Sequence, residues 1–418
     1  MSLIADLKSL KPSQRSAIWA SYLGWTLDAF DFFLMVFMLS AIAKEFGTDV
    51  KAVAHGVFLT LAARPLGAFV FGLLADRFGR RPILMIDILL FSALEFASGF
   101  APSLLSLLVL RFLFGVAMGG EWGIGSSLAM ESIPPKLRGP VSGLLQSGYP
   151  SGYLLASIVY FLLFDHIGWR GMFMVGVAPA FFVLLIRMHV VESPAFEAHA
   201  SKPKAGPLAE FFRPLGALVR EWKTALYLVV LMAAFNSLSH GTQDLYPTFL
   251  QKQHGFDTHT TGTLAIIANL GAITGGIAFG IWSERIGRRR AIMLASLLVL
   301  PAIPLWAYAG TPLLLGIGAF LIQVAVQGAW GVVPVHLNEL SPGRARGMFP
   351  GFAYQLGNLA ASWNVVFQTG IAESHGNDYG LALALFAGGA ALVLIIWTAL
   401  GPERRNADFV ADAKAAPG

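Results

Sequence analysis

Residues 236–248 read NSLSHGTQDLYPT. Asn236, His240, Asp244 and Thr248 recur every four residues and so share one slowly drifting face of a helix. A histidine one turn from an aspartate suits proton transfer, because modest changes of surroundings decide an imidazole's charge near neutral pH. The plainer reading is a pair that only ties helices together. Gly241 and Pro247 would loosen the backbone there and free carbonyls. Upstream, LDAFDFF carries Asp28 and Asp31, each a candidate protonation site or a structural bond to a neighbouring helix. Arg64, in AARPLGAF, presents a guanidinium fork that suits a carboxylate. It would bind an anion, or pair with Asp28 or Asp31 when no anion is present. Arg111, in RFLFGVAMGGEW, has Glu95 and Glu121 as candidate partners in a structural or coupling pair.

These groups sit in stretches that must otherwise satisfy hydrocarbon. The 418-residue chain is 56% hydrophobic and 13% charged, with mean hydropathy +0.66. Soluble domains run at about 25% charged residues, so the composition marks an integral membrane protein with the lipid bilayer as its solvent. Apolar runs of bilayer length recur throughout, and backbone satisfaction in lipid makes them helices. Twelve spans are expected, near 17–43, 52–75, 82–101, 103–131, 137–163, 169–190, 223–251, 258–283, 289–309, 311–340, 345–370 and 378–401. With the seventh starting near Lys223, Asn236 lies roughly 20 Å along its axis, around the midplane. The first span lacks a signal-peptide cleavage pattern and is read as retained. No cysteine occurs, which excludes disulfides, thiolate catalysis and Cys-ligated metal.

Net charge is +5, and its placement explains it. With an inside N-terminus, 23 Lys and Arg residues fall in inside loops. Four fall outside (Lys44, Lys51, Arg170 and Lys252), and Arg64 and Arg111 lie in the membrane. The positive-inside rule then puts both termini in the cytoplasm. The basic residues set topology and give no reason to expect nucleic acid as a partner.

The longest break, 191–222, holds four prolines and reads as a cytoplasmic linker. Around it the sequence repeats. GLLADRFGRRPILM starts at Gly72 and GIWSERIGRRRAIM starts at Gly280, 208 residues on. The same offset relates Trp122 to Trp330, Glu131 to Glu339, Arg138 to Arg346, and Asn236 back to Asp28. A six-helix unit is thus duplicated in parallel: 1–190 forms one half, 223–401 the other, and 402–418 a cytoplasmic tail. Parallel halves with a midplane site are a transporter layout. Asp76, Arg77, Arg80 and Arg81, with Glu284, Arg285 and Arg288 in the second copy, would face Glu131, Glu339, Arg138 and Arg346. They would form a cytoplasmic gate whose ion pairs exist in one state only; topology alone is the other reading of these arginines.

The GxxxDRxGRR element resembles the signature of the major facilitator superfamily, an all-α membrane fold. The stretch at 236–248 is similar to a narrower pattern, Asn-x-x-Ser/Thr-His-x-Ser/Thr-Gln-Asp-x-x-x-Thr, the hallmark of Jen-type monocarboxylate:proton symporters in the sialate:proton symporter branch. LDAFDFF, RPLGAF, GGEWG, LLQSGYPSGY and AYQLGN also look like that branch. The resemblance implies import of lactate, pyruvate and similar acids with a proton. Carried over, Asn236, His240 and Asp244 would form the substrate and proton site, Arg64 would contact the carboxylate, and Gln355 would lie beside the path. Gln146 would add a hydrogen bond. Proton coupling would draw on Asp28, Asp31, His240, Asp244, Glu121 and Arg111. Yeast-like members carry longer termini, and some sialate transporters carry an extra helix pair that this chain lacks.

The expectation is therefore a proton-coupled monocarboxylate symporter, monomeric, in a plasma or bacterial inner membrane, needing no cofactor. Symport of another organic acid (sialate, aromatic or dicarboxylic) is the nearest alternative, and a nutrient sensor of the same fold a more distant one. An enzyme is disfavoured, because no nucleophile–base set, phosphate loop or metal-ligand cluster is legible.

Overall fold

The computed structural model describes residues 9–48, 50–188, 191–192, 196–197, 216, 219–342, 345–409 and 411. Most of the expected linker at 191–222, and the end of the tail, lie outside the described residues. Among the described residues sixteen α-helices carry the fold: α1 (Pro12–Glu45), α2 (Val50–Phe78), α3 (Arg80–Ser98), α4 (Leu104–Met118), α5 (Glu121–Ser132), α6 (Arg138–Gln146), α7 (Gly148–Met188), α8 (Trp222–Gln243), α9 (Tyr246–Lys252), α10 (Thr258–Ile286), α11 (Arg288–Tyr308), α12 (Pro312–Trp330), α13 (Val333–Leu340), α14 (Phe349–Ala361), α15 (Asn364–Ser374) and α16 (Tyr379–Leu400). There is no strand among the described residues.

Helix ends follow local chemistry. Ser103, Asp257, Thr311 and Asp378 each cap the helix that follows, accepting a hydrogen bond from a first-turn backbone N–H. The GRR turns are sharper. Gly79 and Gly287 stand at φ 105° and 96°, where a side chain would be strained, and so let α2 pass into α3 and α10 into α11 within one residue.

The structure divides several runs that the sequence reads as single spans. The run 103–131 breaks at Gly119–Gly120 into α4 and α5, and 311–340 breaks at Gly331–Val332 into α12 and α13. The seventh run bends at Asp244–Leu245, just before Pro247 in the first turn of α9, and 345–370 bends at Ser362–Trp363. The fifth and sixth runs meet inside α7, which kinks at Gly168. Among the described residues eight helices are long and apolar enough to cross a membrane, or nine if the bent pair Pro135–Tyr160 and Leu162–Val177 counts as one. The difference from twelve has a physical basis. α3 holds Arg80, Arg81, Asp87 and Glu95, and α14 and α15 are only 13 and 11 residues long.

Packing leaves apolar stripes pointing outward. Leu105, Val109 and Phe112 of α4 are exposed, as are Leu313, Ile317 and Leu321 of α12 and Leu385, Leu392 and Ile396 of α16. In water such contiguous patches would drive association; in a bilayer they are the solvated surface. Inside, α1 packs along α7, α2 along α4, α10 along α12, and α8 along α14. The N-terminal helices meet the C-terminal ones chiefly at two seams, α2 against α14 and α6 against α10, with α5 also touching α13 and α14.

Candidate functional site

Between these helices lies a cavity of about 400 Å³. One wall is aromatic, with Phe32 and Phe33 of α1, Tyr149 and Tyr153 of α7, Tyr246 of α9 and Trp306 of α11. The polar lining comes from the bend that ends α8, with His240, Thr242, Gln243 and Asp244, and from Gln323 and Gln327 of α12. A smaller space of about 30 Å³ shares His240, Gln243 and Tyr149 with it and adds Trp25, Asn236, Gln146 and Tyr354. Below that, Trp122 and Tyr354 sit 4.7 Å apart by ring centroid, and Trp330 lies 5.6 Å from Tyr354. Trp122 and Trp330 are repeat partners, so both copies contribute to this aromatic floor.

His240 is held at both ring nitrogens. Nδ1 lies 3.2 Å from Asp244 Oδ2, and Nε2 lies 3.1 Å from Asn358 Oδ1. A doubly protonated ring donates to both oxygens. A singly protonated ring donates to only one of them; with the proton on Nδ1, Asn358 must turn its amide so that its NH2 donates to Nε2. Asn236 donates to its own helix at Met232 O (2.9 Å) and to Tyr354 O (3.4 Å), which ties α8 to α14. Gln243 donates to Gln323 Oε1 at 3.0 Å, and Gln327 to Ser239 Oγ at 3.3 Å. The side chain of Thr248 lies outside the described residues.

The remaining predicted residues fall into two groups away from the cavity wall. Arg64 Nη2 is 3.1 Å from Asp28 Oδ1, both side chains at most 4% exposed. Phe32 stands over the guanidinium, 5.7 Å from its centroid, and it is Phe32, not Arg64, that faces the cavity. Arg111 pairs with Glu95 at 2.8 Å and donates to Ser98 Oγ at 2.6 Å, with Asp31 buried nearby. Glu121 is buried at the start of α5. Gln146 Oε1 accepts from Trp122 Nε1 at 3.4 Å. Gln355 is buried but lines neither space; its neighbour Tyr354 does.

At the end bearing the GRR turns the helices close. Arg80 reaches Asp76 (3.0 Å) and Glu131 (3.4 Å), and 208 residues on Arg288 reaches Glu284 (2.7 Å) and Glu339 (3.1 Å). These pairs stay within one repeat copy. The links between copies are different. Asp76 accepts the backbone N–H of Gly347 (2.8 Å) and Met348 (3.1 Å) at the start of α14, and Glu284 accepts Gly139 N–H (2.7 Å) at the start of α6. A carboxylate at a helix N-terminus meets both free N–H groups and the positive end of the dipole. Arg346 adds a contact to Glu131 at 3.7 Å, and Ser142 donates to Gly331 O. Arg77 and Arg285 are exposed, and Arg81 is engaged through its backbone N–H with Glu192 at 3.1 Å.

Sequence reasoning passed over Asn358, Gln323 and Gln327; it expected many aromatics around the site without naming those of the wall. The two glutamines stand one turn apart in the otherwise apolar run LLLGIGAFLIQVAVQGAW, which is a signal of the same kind as Asn236 and His240. Asn358 stands in AYQLGN, three residues from Gln355, and the helix's rotation decides which of the two meets His240.

The chain matches the family model described as Major Facilitator Superfamily over residues 21–363 and 245–416. It is 31% identical to the sialic acid transporter NanX of Escherichia coli, over 93% of this chain and 95% of that protein. It is 28% identical to a carboxylic acid transporter protein homolog of Saccharomyces cerevisiae, over 97% of this chain and 71% of that one. Among solved structures it superposes on the proton:xylose symporter XylE with TM-score 0.79 at 17% identity, covering 94% of this chain and 97% of that one. With a helical fold of that shape, a GRR turn in each repeat and a family match along nearly its whole length, the chain belongs to the major facilitator superfamily.

Proposed function

We propose that this protein is a secondary transporter that imports short monocarboxylates such as lactate and pyruvate together with protons. Twelve spans would form two six-helix halves, 1–190 and 223–401, with both termini in the cytoplasm. The state described here would face outward, since Trp122, Tyr354 and Trp330 floor the cavity and the end bearing the GRR turns is held shut by the Asp76 and Glu284 caps. The observation that carries this reading is the His240–Asp244 pair, the ionisable groups on the wall of a cavity lined elsewhere by aromatic, aliphatic and amide side chains. It offers one cationic donor and one proton acceptor to an incoming acid, with Asn236 and Gln327 beyond them. Arg64 waits behind Phe32, paired with Asp28, so an anion reaches it only when the ring moves and the pair exchanges partners. Protons would be carried by one of the buried acids Asp28 or Asp31 or by Asp244 on the cavity wall, and alternation would break the Asp76 and Glu284 caps.

The test is uptake of labelled L-lactate into proteoliposomes, inside alkaline, with pyruvate, acetate, succinate and sialic acid as competitors. Gradient-driven accumulation blocked by pyruvate but not by sialic acid supports the reading. Absence of lactate uptake, with transport of a competitor, overturns the substrate. Symport of a larger organic acid is the second reading, favoured by the likeness to NanX and by cavity size. A volume of about 400 Å³ corresponds to roughly a dozen waters, more room than a three-carbon acid fills.

A further inference from the structure

Asp31 points away from the cavity that its neighbours Phe32 and Phe33 line. It is 1% exposed and faces a second polar cluster built from α3, α4 and α7. Glu95 of α3 is fully buried and Arg111 of α4 is 1% exposed. The guanidinium of Arg111 is held through Nη2, by Glu95 Oε2 at 2.8 Å and Ser98 Oγ at 2.6 Å. The rings of Phe114 and Phe173 lie 4.1 and 4.9 Å from its Cζ. It is a fixed charge.

Beside the Glu95 Oε2–Arg111 ion pair, Asp31 Oδ1 and Glu95 Oε1 are buried without a hydrogen-bond partner. Both converge on one point of α7. A methyl group added at Gly176 would lie 3.2 Å from Asp31 Oδ1 and 3.3 Å from Glu95 Oε1. The glycine therefore leaves open the one space that both oxygens flank. Two carboxyls and one guanidinium cannot all be ionised at membrane depth without a net charge, and an uncompensated charge there costs about 2.5–3.5 kcal/mol on insertion scales. Around them, Asp28 on the same helix is paired with Arg64, Glu121 acts on Asp28, and α7 meets both oxygens at Gly176.

We infer that Asp31 and Glu95 share one proton across the space over Gly176, and that this pair, with Arg111 as its fixed counter-charge, is the coupling site. This rests on the symport reading above. An O–H bond forms on one carboxylate when a proton arrives from outside water, and the same bond breaks when the proton leaves inward; no other reactant is needed. The loaded cluster is neutral and the empty one carries a net negative charge in the packed helix core, which disfavours reorientation without a proton. His240 and Asp244 then belong to the substrate.

The experiment compares wild type, Glu95→Gln, Asp31→Asn, Glu95→Asp and Gly176→Ala, reconstituted as full chains. Two readouts are taken with one labelled acid: accumulation under a proton gradient, and counterflow with none. The expected result is a ratio of accumulation to counterflow that falls at least ten-fold in Glu95→Gln and Asp31→Asn, falls in Gly176→Ala, and is partly restored in Glu95→Asp. A wild-type ratio in Glu95→Gln overturns the inference, as does an equal loss of both readouts in protein that elutes as a single folded species. Where Glu95→Gln fails to fold, Gly176→Ala alone decides, since it fills the shared space and leaves every ionisable group in place. If wild type accumulates no acid under any gradient, it is the symport reading that fails, and this is seen before any variant is compared.

Discussion

The ring of Phe409 lies 3.5 Å from Cζ of Arg138, and its other neighbour is Arg346, 4.0 Å away. These two arginines occupy equivalent positions in the sequence repeat, and the tail joins them. Phe409 is 1% exposed, Arg138 donates to Ala407 O at 2.6 Å, Asn406 N–H reaches Glu339, and Glu403 accepts Arg288 N–H at 2.6 Å. The segment after α16 thus straps the closed end from both sides.

Phe409→Ala removes two cation–π contacts, each about 0.5–2 kcal/mol when shielded from water. A shift of even 1.4 kcal/mol toward the open arrangement is ten-fold in population. Since the chain has no cysteine, a single cysteine at Ser126, where Asn338 now donates, reports opening cleanly. Its maleimide labelling is expected to speed several-fold in Phe409→Ala. An unchanged rate would show that the strap does not hold this end shut.

The caps on α14 and α6 lead to a second expectation. Asp76→Ala removes two hydrogen bonds to a charged acceptor, each worth about 1.5–3 kcal/mol, and leaves Arg80 with Glu131. Spin labels placed on α2 and α14 at this end should separate in Asp76→Ala, and in Glu284→Ala the matching separation should appear between α10 and α6. A distance distribution that stays narrow and short in both variants would mean that the seams are held by packing alone.

Arg64 and Asp28 are each other's buried counter-charge, and truncating one leaves the other uncompensated at a cost of about 3–5 kcal/mol. Arg64→Ala is therefore expected to lower the thermal midpoint more than the double variant Arg64→Ala/Asp28→Ala does, a coupling that a double-mutant cycle reads directly. Substrate binding is expected to be lost in both. Normal affinity in the better-folded double variant would remove Arg64 from the anion site.

The fold was legible because hydropathy and the 208-residue offset are global signals that survive local irregularity. The helix breaks were not, since Gly119–Gly120 and Gly331–Val332 read equally well as small residues in a straight span. At the site, the four-residue spacing of Asn236, His240 and Asp244 was enough to bring His240 and Asp244 to the cavity and Asn236 to the space below it. Arg64 with Asp28 was one of two readings, and only the rotation of α1 shows that Phe32 screens the pair from the cavity. Glu131 and Glu339 do meet the clustered arginines, and Arg346 reaches Glu131 across the copies, yet the links made by Asp76 and Glu284 run to backbone N–H groups, which leave no trace in residue type. GPERRNADF reads as a solvated charged tail; its one aromatic ring finds its place only because Arg138 and Arg346 converge in space.

His240 separates binding from coupling. Its two contacts, to Asp244 and Asn358, bridge α8 and α14 across the cavity wall. If Asp31 and Glu95 carry the proton, then His240→Gln weakens the hold on the substrate's carboxylate without touching the charge balance of the distant cluster. Loss of a hydrogen bond to a charged group costs about 1.5–3 kcal/mol, so the half-saturating substrate concentration is expected to rise roughly ten- to hundred-fold. At saturating substrate, the steady-state accumulation ratio under a fixed proton gradient is expected to match wild type. Asp244→Asn should behave alike, with a smaller rise, because it removes the partner that orients the ring and not the ring itself. Accumulation that collapses at saturating substrate while counterflow continues would return the proton to the His240–Asp244 pair.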